Sequence, residues 1–120
     1  MDKTIFVVDD VGINLSVTKA VLEDKYTVVT VSSGKKALAL MEKITPHLIL
    51  LDIDMPEMDG FAVMERLKSD DRYIDIPVVF LTAMHDRDAE AKGLKMGAVD
   101  FILKPFDTPV LLNKVAYHLA

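Results

Sequence analysis

Four apolar runs in this sequence of 120 residues stop at side chains that could do chemistry. TIFVV leads into Asp9 and Asp10, LILL into Asp52, VVFLT closes on Thr82, and VDFIL leads into Lys104 and Pro105. A further run, TVVTV, leads into Ser32 and Ser33. Taken singly, each has a plain explanation. The Asp pair could be a solvated loop or a helix cap, Asp52 a strand terminator, Thr82 a strand residue with a satisfied hydroxyl, and Lys104 a surface lysine. Taken together, they offer three carboxylates, a hydroxyl and an amine. Two like charges 4 Å apart repel by about 4 kcal/mol at an effective dielectric of 20. A crowded acidic trio must therefore raise its proton affinity or recruit a cation. An oxygen-only set suits a hard ion, and Mg²⁺ takes one or two carboxylates, keeps waters and accepts substrate phosphate. With that charge balanced and Lys104 opposite, Asp52 is placed for nucleophilic attack on phosphorus, giving an aspartyl phosphate. Such a reaction depends mainly on positioning and charge neutralisation.

This chemistry needs a scaffold that brings distant residues together. The runs Thr4–Val8, Thr27–Val31, Leu48–Leu51, Val78–Thr82 and Val99–Leu103 are β-branched and aliphatic, as strands covered on both faces of a parallel sheet are. Segments of helical spacing separate them. The first spans about Asn14–Asp24, with Asn14 as N-cap and Leu15, Thr18 and Leu22 on one face beside Val17 and Val21. The second spans Gly34–Ile44, capped by Ser32 or Ser33 and stopped by Pro46. The third, Gly60–Ser69, presents Phe61, Met64 and Leu67. The last has Thr108 as cap, Pro109 at the first helical position, and Leu111, Val115 and Leu119 in register with Leu112 and Ala116 alongside. The fourth, Asp86–Met96, has an apolar side of little more than Ala89, Ala91 and Leu94, carries Gly93 inside, and ends at Gly97 as a left-handed cap. It is expected to be the least stable of the five.

Strand alternating with helix predicts a doubly wound (βα)5 flavodoxin-like α/β sandwich. Right-handed crossovers place every strand's C-terminal end on one edge, where such sheets bind ligands. The chain is expected to be one domain over residues 1–120. Half its residues are hydrophobic (51%), enough for one core. Fourteen basic residues against nineteen acidic ones, net charge −5, argue against binding nucleic-acid phosphates. The absence of cysteine removes disulfides, thiol catalysis and thiolate metal sites, and fits a reducing compartment. No apolar run reaches membrane-spanning length, so a cytoplasmic location away from the membrane is expected.

The motifs VVDD (Val7–Asp10), LLDIDMPEMDG (Leu50–Gly60), LTA (Leu81–Ala83) and KPF (Lys104–Phe106) resemble the receiver domain of bacterial two-component response regulators, in order along the whole chain. The resemblance implies a five-stranded parallel sheet of order 2-1-3-4-5. It implies that Asp52 is the phosphoacceptor for a sensor histidine kinase or a phosphotransfer protein. Asp10 and Asp52 would bind Mg²⁺ with the backbone carbonyl of Asp54, and Asp9 would act through a bound water. Thr82 and Lys104 would hold the phosphoryl oxygens, and the Lys104–Pro105 bond would be cis. The domain would catalyse only its own phosphorylation and dephosphorylation, in a phosphorelay that acts on an output domain or a downstream protein. A dimer formed on phosphorylation is a further option.

Phe101 matches the family's aromatic switch position, although a plain core residue would look the same. Movement of Thr82 toward the phosphoryl group would open space for the ring to turn inward. A charge-assisted hydrogen bond contributes about 1.5–3 kcal/mol, whereas reversing a 1:99 equilibrium needs about 5.5 kcal/mol. Thr82 would therefore share the switch with Lys104 and the metal. The responsive surface would be the fourth helix, fifth strand and fifth helix. Asp54 and Met84, two residues after Asp52 and Thr82, occupy positions that tune phosphoryl lifetime in the family.

Rival readings are weaker. A haloacid-dehalogenase phosphatase shares the Asp-x-Asp of LLDID, but there that motif precedes the acidic pair, and 120 residues leave no space for a cap domain. Asp9–Asp10–Val11–Gly12 would repel a flavin phosphate. An EF-hand counted from Asp52 has Glu57 and Val63 where glycine and glutamate are needed. A degenerate receiver, purely an interaction module, is disfavoured by the intact acidic pair, Asp52, Thr82 and Lys104. His47, His85 and His118 are scattered and read as structural or surface residues.

Overall fold

The uninterrupted aliphatic runs form the middle of the sheet. In the computed structural model, which describes residues 2–83 and 86–120, ten elements alternate. They are β1 (Thr4–Val8), α1 (Gly12–Leu22), β2 (Thr27–Val31), α2 (Gly34–Met41), β3 (Leu48–Leu51), α3 (Gly60–Lys68), β4 (Val78–Thr82), α4 (Arg87–Lys95), β5 (Asp100–Leu103) and α5 (Thr108–Leu119). All strand pairs are parallel, in the order β2-β1-β3-β4-β5. Register brings the ends of β1 and β3 level, with Val8 beside Leu51, so Asp9 and Asp52 follow adjacent strands. β3 and β4 are buried throughout, and β2, on the edge, exposes Thr27 and Thr30.

Side chains alternate across the sheet. Phe6, Val8, Ile49, Leu51, Phe80 and Phe101 point toward α2 and α3, packing with Ala37, Met41, Val63, Met64 and Leu67. Ile5, Val7, Leu48, Leu50, Val79, Leu81 and Ile102 point toward α1 and α5, packing with Leu22, Leu111 and Val115.

Ser33 caps α2 as expected, accepting from the Lys36 amide at 3.1 Å. Asp59 and Asp86 cap α3 and α4. Two caps differ from the sequence reading. Helix α1 begins two residues before Asn14, with Val11 in the cap position and no side-chain cap. The turn into it is closed by Asp9, whose carboxylate accepts from the Val11 amide at 2.9 Å. In α5 Thr108 is already helical, Asp107 holds the cap position without a side-chain bond, and Pro109 falls one place later than expected within the first turn. β5 starts at Asp100, leaving Val99 42% exposed. Val17 and Ala116, placed beside the buried stripes by their spacing, are exposed.

Helix α4 buries only Ala89 and Gly93; Ala91 and Leu94 face outward. Gly93 is there for approach: a Cβ would lie 2.7 Å from Phe80 Cε2. Gly97 takes φ +112°, the left-handed cap its position predicts.

Candidate functional site

The C-terminal edge of the sheet gathers Asp9, Asp10, Asp52, Thr82 and Lys104 around one cavity region. Asp9 is 3% exposed and forms an ion pair with the Lys104 ammonium. Lys104 Nζ also lies 3.7 Å from Asp52 Oδ2, so one cation serves two carboxylates. Asp52 is 7% exposed; its Oδ1 accepts from the Ile53 amide at 2.8 Å, and the Thr82 hydroxyl donates to it. Burial pushes the Asp52 carboxyl above the ordinary range, aided by the charge of Asp9, and Thr82 and Lys104 offset this only in part. Asp10 is exposed and turns toward the same point. Asp9, Asp10 and Asp52 each offer an oxygen within 4.8 Å of the others. A cavity of about 390 Å³ opens over the cluster, lined by Asp10, Val11, Asn14, Asp52, Asp54, Thr82, Ala83 and Lys104.

Local sequence explains this placement. The loop after β3 is pinned by buried Ile53 and Met55, with Glu57 at φ 66°. Gly60, at the start of α3, donates its amide to the Ile53 carbonyl at 2.8 Å. A Cβ there would lie 2.8 Å from Ile53 Cα and overlap the Asp52 carbonyl oxygen, so glycine lets α3 abut the backbone that carries Asp52. The Lys104–Pro105 bond is cis.

A smaller groove of about 240 Å³ adjoins the cavity, between Asn14, Val17, Thr18 and Val21 on α1 and Lys104, Pro105, Phe106 and Thr108. On the same helix Ile13 is 68% exposed.

Most of the expected residues meet here; others do not. Ser32 and Ser33 serve α2, Ser33 as cap and Ser32 accepting from Lys36 Nζ at 3.3 Å. Phe101 is buried and packs on Phe80 with ring centroids 6.1 Å apart, and it does not line the cavity. A phenylalanine has no hydroxyl to hold it toward water. His47 accepts from the Thr4 amide at 2.9 Å, and His118 pairs with Asp100 at 2.9 Å; both are structural. Met84 and His85 lie outside the described residues. Sequence reading missed Asn14 and Gly60. Asn14 lies in the first turn of α1, four residues after Asp10, a placement that could have revealed it.

Three comparisons place this architecture among known proteins. The family model of the response regulator receiver domain matches residues 5–116. Response regulator PleD of Caulobacter vibrioides is 42% identical over 116 residues, covering 96% of this chain and 26% of that protein. A probable cyclic di-GMP phosphodiesterase of Vibrio cholerae is 38% identical over 116 residues, covering 97% and 26%. The crystal structure of a putative response regulator from Chloroflexus aurantiacus superposes with a TM-score of 0.94 at 29% identity, covering 99% of this chain and 98% of that one. This chain belongs to the response regulator receiver domain family, whose function is phosphorelay signalling and whose members interact with histidine kinases and output domains. It spans about a quarter of the length of the two curated relatives just named. No helix among the described residues is long and apolar enough to cross a membrane.

Proposed function

We propose that residues 1–120 act as one receiver domain in which Asp52 accepts a phosphoryl group from a phosphohistidine on a kinase or phosphotransfer protein. The carrying observation is the convergence of three carboxylates within 4.8 Å, with the Lys104 ammonium bridging Asp9 and Asp52. An Asp52 oxygen attacks phosphorus as the donor's P–N bond breaks, the imidazole nitrogen keeping the electron pair. Lys104 and Thr82 turn from the carboxylates to the incoming phosphoryl oxygens. The Ile53 amide holds the second oxygen of Asp52, leaving one free to attack.

The donor set fits a hard divalent ion: all oxygen, two carboxylates buried and one exposed, beneath an open cavity. Asp10, Asp52 and the Asp54 carbonyl would hold Mg²⁺, with Asp9 acting through a water. Bound there, Mg²⁺ supplies charge neutralisation for the transferring group. The protein donor seats over α1, where exposed Val17 lines the groove, exposed Val11 lines the cavity, and Ile13 on the same helix is also exposed. The domain turns over no separate substrate. Phosphorylation is read on α4, β5 and α5 by an output domain or downstream protein in the cytoplasm.

Incubation with acetyl phosphate and Mg²⁺, followed by mass spectrometry, tests the reading. A phosphoryl adduct is expected on Asp52 and is expected to be lost in Asp52→Asn. An adduct elsewhere, or none, would refute it.

A further inference from the structure

Asn14 has none of the roles its residue type suggests. It lies third in α1, inside the helix, where Asn is a poorer helix former than Ala or Leu. The cap position belongs to Val11, and among the described residues the Asn14 carboxamide makes no hydrogen bond. Its neighbours at helical spacing, Val17, Thr18 and Val21, line the groove that faces Pro105 and Phe106. Asn14 is therefore the polar head of a largely apolar stripe, at the end that meets the acidic cavity.

Among the described residues, only Asn14 and Lys104 line both the groove and the cavity. The Lys104 ammonium is committed to Asp9 and Asp52. Of the two groups at the passage, the amide is the uncommitted one. Phosphoryl transfer proceeds roughly in line, so the group opposite Asp52 must lie toward the cavity's open side, where a donor enters. That apical group is the donor's departing atom during loading and a water molecule during hydrolysis.

We propose that the Asn14 carboxamide contacts this apical group in both reactions, an inference that rests on Asp52 being the phosphoacceptor. An amide carries both a donor and an acceptor. In transfer from an acyl phosphate, the Asp52 O–P bond forms as the acyl O–P bond breaks. The acyl oxygen keeps the electron pair, and the Asn14 N–H donates to it. In hydrolysis, the water oxygen bonds to phosphorus as the Asp52 O–P bond breaks. Asp52 keeps that pair, both of the water's protons end on inorganic phosphate, and the Asn14 carbonyl accepts from the entering water. A neutral amide does this without adding a fourth negative charge beside Asp9, Asp10 and Asp52.

Asn14→Ala and Asn14→Leu test the inference, and both residues favour helix more than Asn. Acetyl phosphate with Mg²⁺ gives the rate of Asp52 phosphorylation, and removal of donor gives the rate of hydrolysis. Both variants are expected to slow both reactions about three- to tenfold, the range of one lost neutral hydrogen bond. Affinity for beryllofluoride with Mg²⁺, which mimics the phosphoryl group without a leaving group, is expected to stay within about twofold, as the mimic lacks this contact. Rates close to the parent's, parental rates restored by the similarly sized Leu, or a parallel fall in beryllofluoride affinity would each overturn the inference. A parent protein that no donor phosphorylates on Asp52 would remove the phosphoacceptor reading, and this inference with it.

Discussion

Asp52 is held in a position that the proposed phosphoacceptor role requires and stability does not. Burial beside Asp9 raises its carboxyl pKa, so the folded state binds its proton more tightly than the unfolded chain. Below the ordinary carboxylate range Asp52 is neutral in both states and costs nothing. As pH rises past the unfolded value, the folded state carries a growing penalty, which is complete above the raised folded pKa. Asp52→Asn is therefore expected to raise the melting temperature at pH 7, by about 3–5 °C for each kcal/mol relieved, with the gain shrinking toward pH 3. Thermal melts across that range check the sign; a variant less stable at pH 7 would contradict it. The residue types of this site were legible because each closes an apolar run. Asn14 was not, because Asn near a helix start reads as a cap, and only the Asp9 side chain bonded to the Val11 amide shows where the turn begins.

The sequence located all five strands to within a residue, since continuous β-branched runs have few other uses. Helix ends were harder, because caps depend on which nearby oxygen reaches the first free amide. Helix α4 is the instructive case. Gly93 reads as a flaw costing about 1 kcal/mol against Ala, yet Phe80 occupies the space a Cβ would take. Phe80 is fully buried and braced by Phe61 and Phe101, with ring centroids 5.6 and 6.1 Å away, so it has little freedom to yield. Overpacking costs about 1–3 kcal/mol, which outweighs the propensity gain. Gly93→Ala is expected to destabilise the protein by about 1–2 kcal/mol in denaturant titration, and a more stable variant would show that Phe80 moves aside. The two residues α4 buries, Ala89 and Gly93, are small, whereas α1 buries Thr18 and Leu22, so α4 is also expected to exchange its amide hydrogens faster than α1.

At the scale of the molecule, the site and the weakly held helix are joined through the sheet. Thr82 and Phe80 share a face of β4, and Phe80 touches both Phe101 on β5 and the position of Gly93 on α4. Behind Phe101, Asp100 is tied to Lys114 and His118 of α5, both at 2.9 Å. Burial pushes the Asp100 carboxyl up, but the bonds from His118 and Lys114 outweigh it and hold the group below its usual range. A change at Thr82 thus has a packed route to α4, β5 and α5. Beryllofluoride and Mg²⁺ are expected to shift backbone NMR resonances in these elements well beyond those of the N-terminal ends of the strands. Shifts confined to the cavity would show that the route carries nothing.

The two cores lie on opposite sides of the sheet. Phe80 and Phe101 belong to the one beneath α2 and α3, while the groove beside Asn14 belongs to the α1 and α5 side. The five strands therefore act as a bulkhead. A donor seated along α1, as proposed, would leave the aromatic layer undisturbed, and a partner resting on α4 would have no need to wait for it to depart.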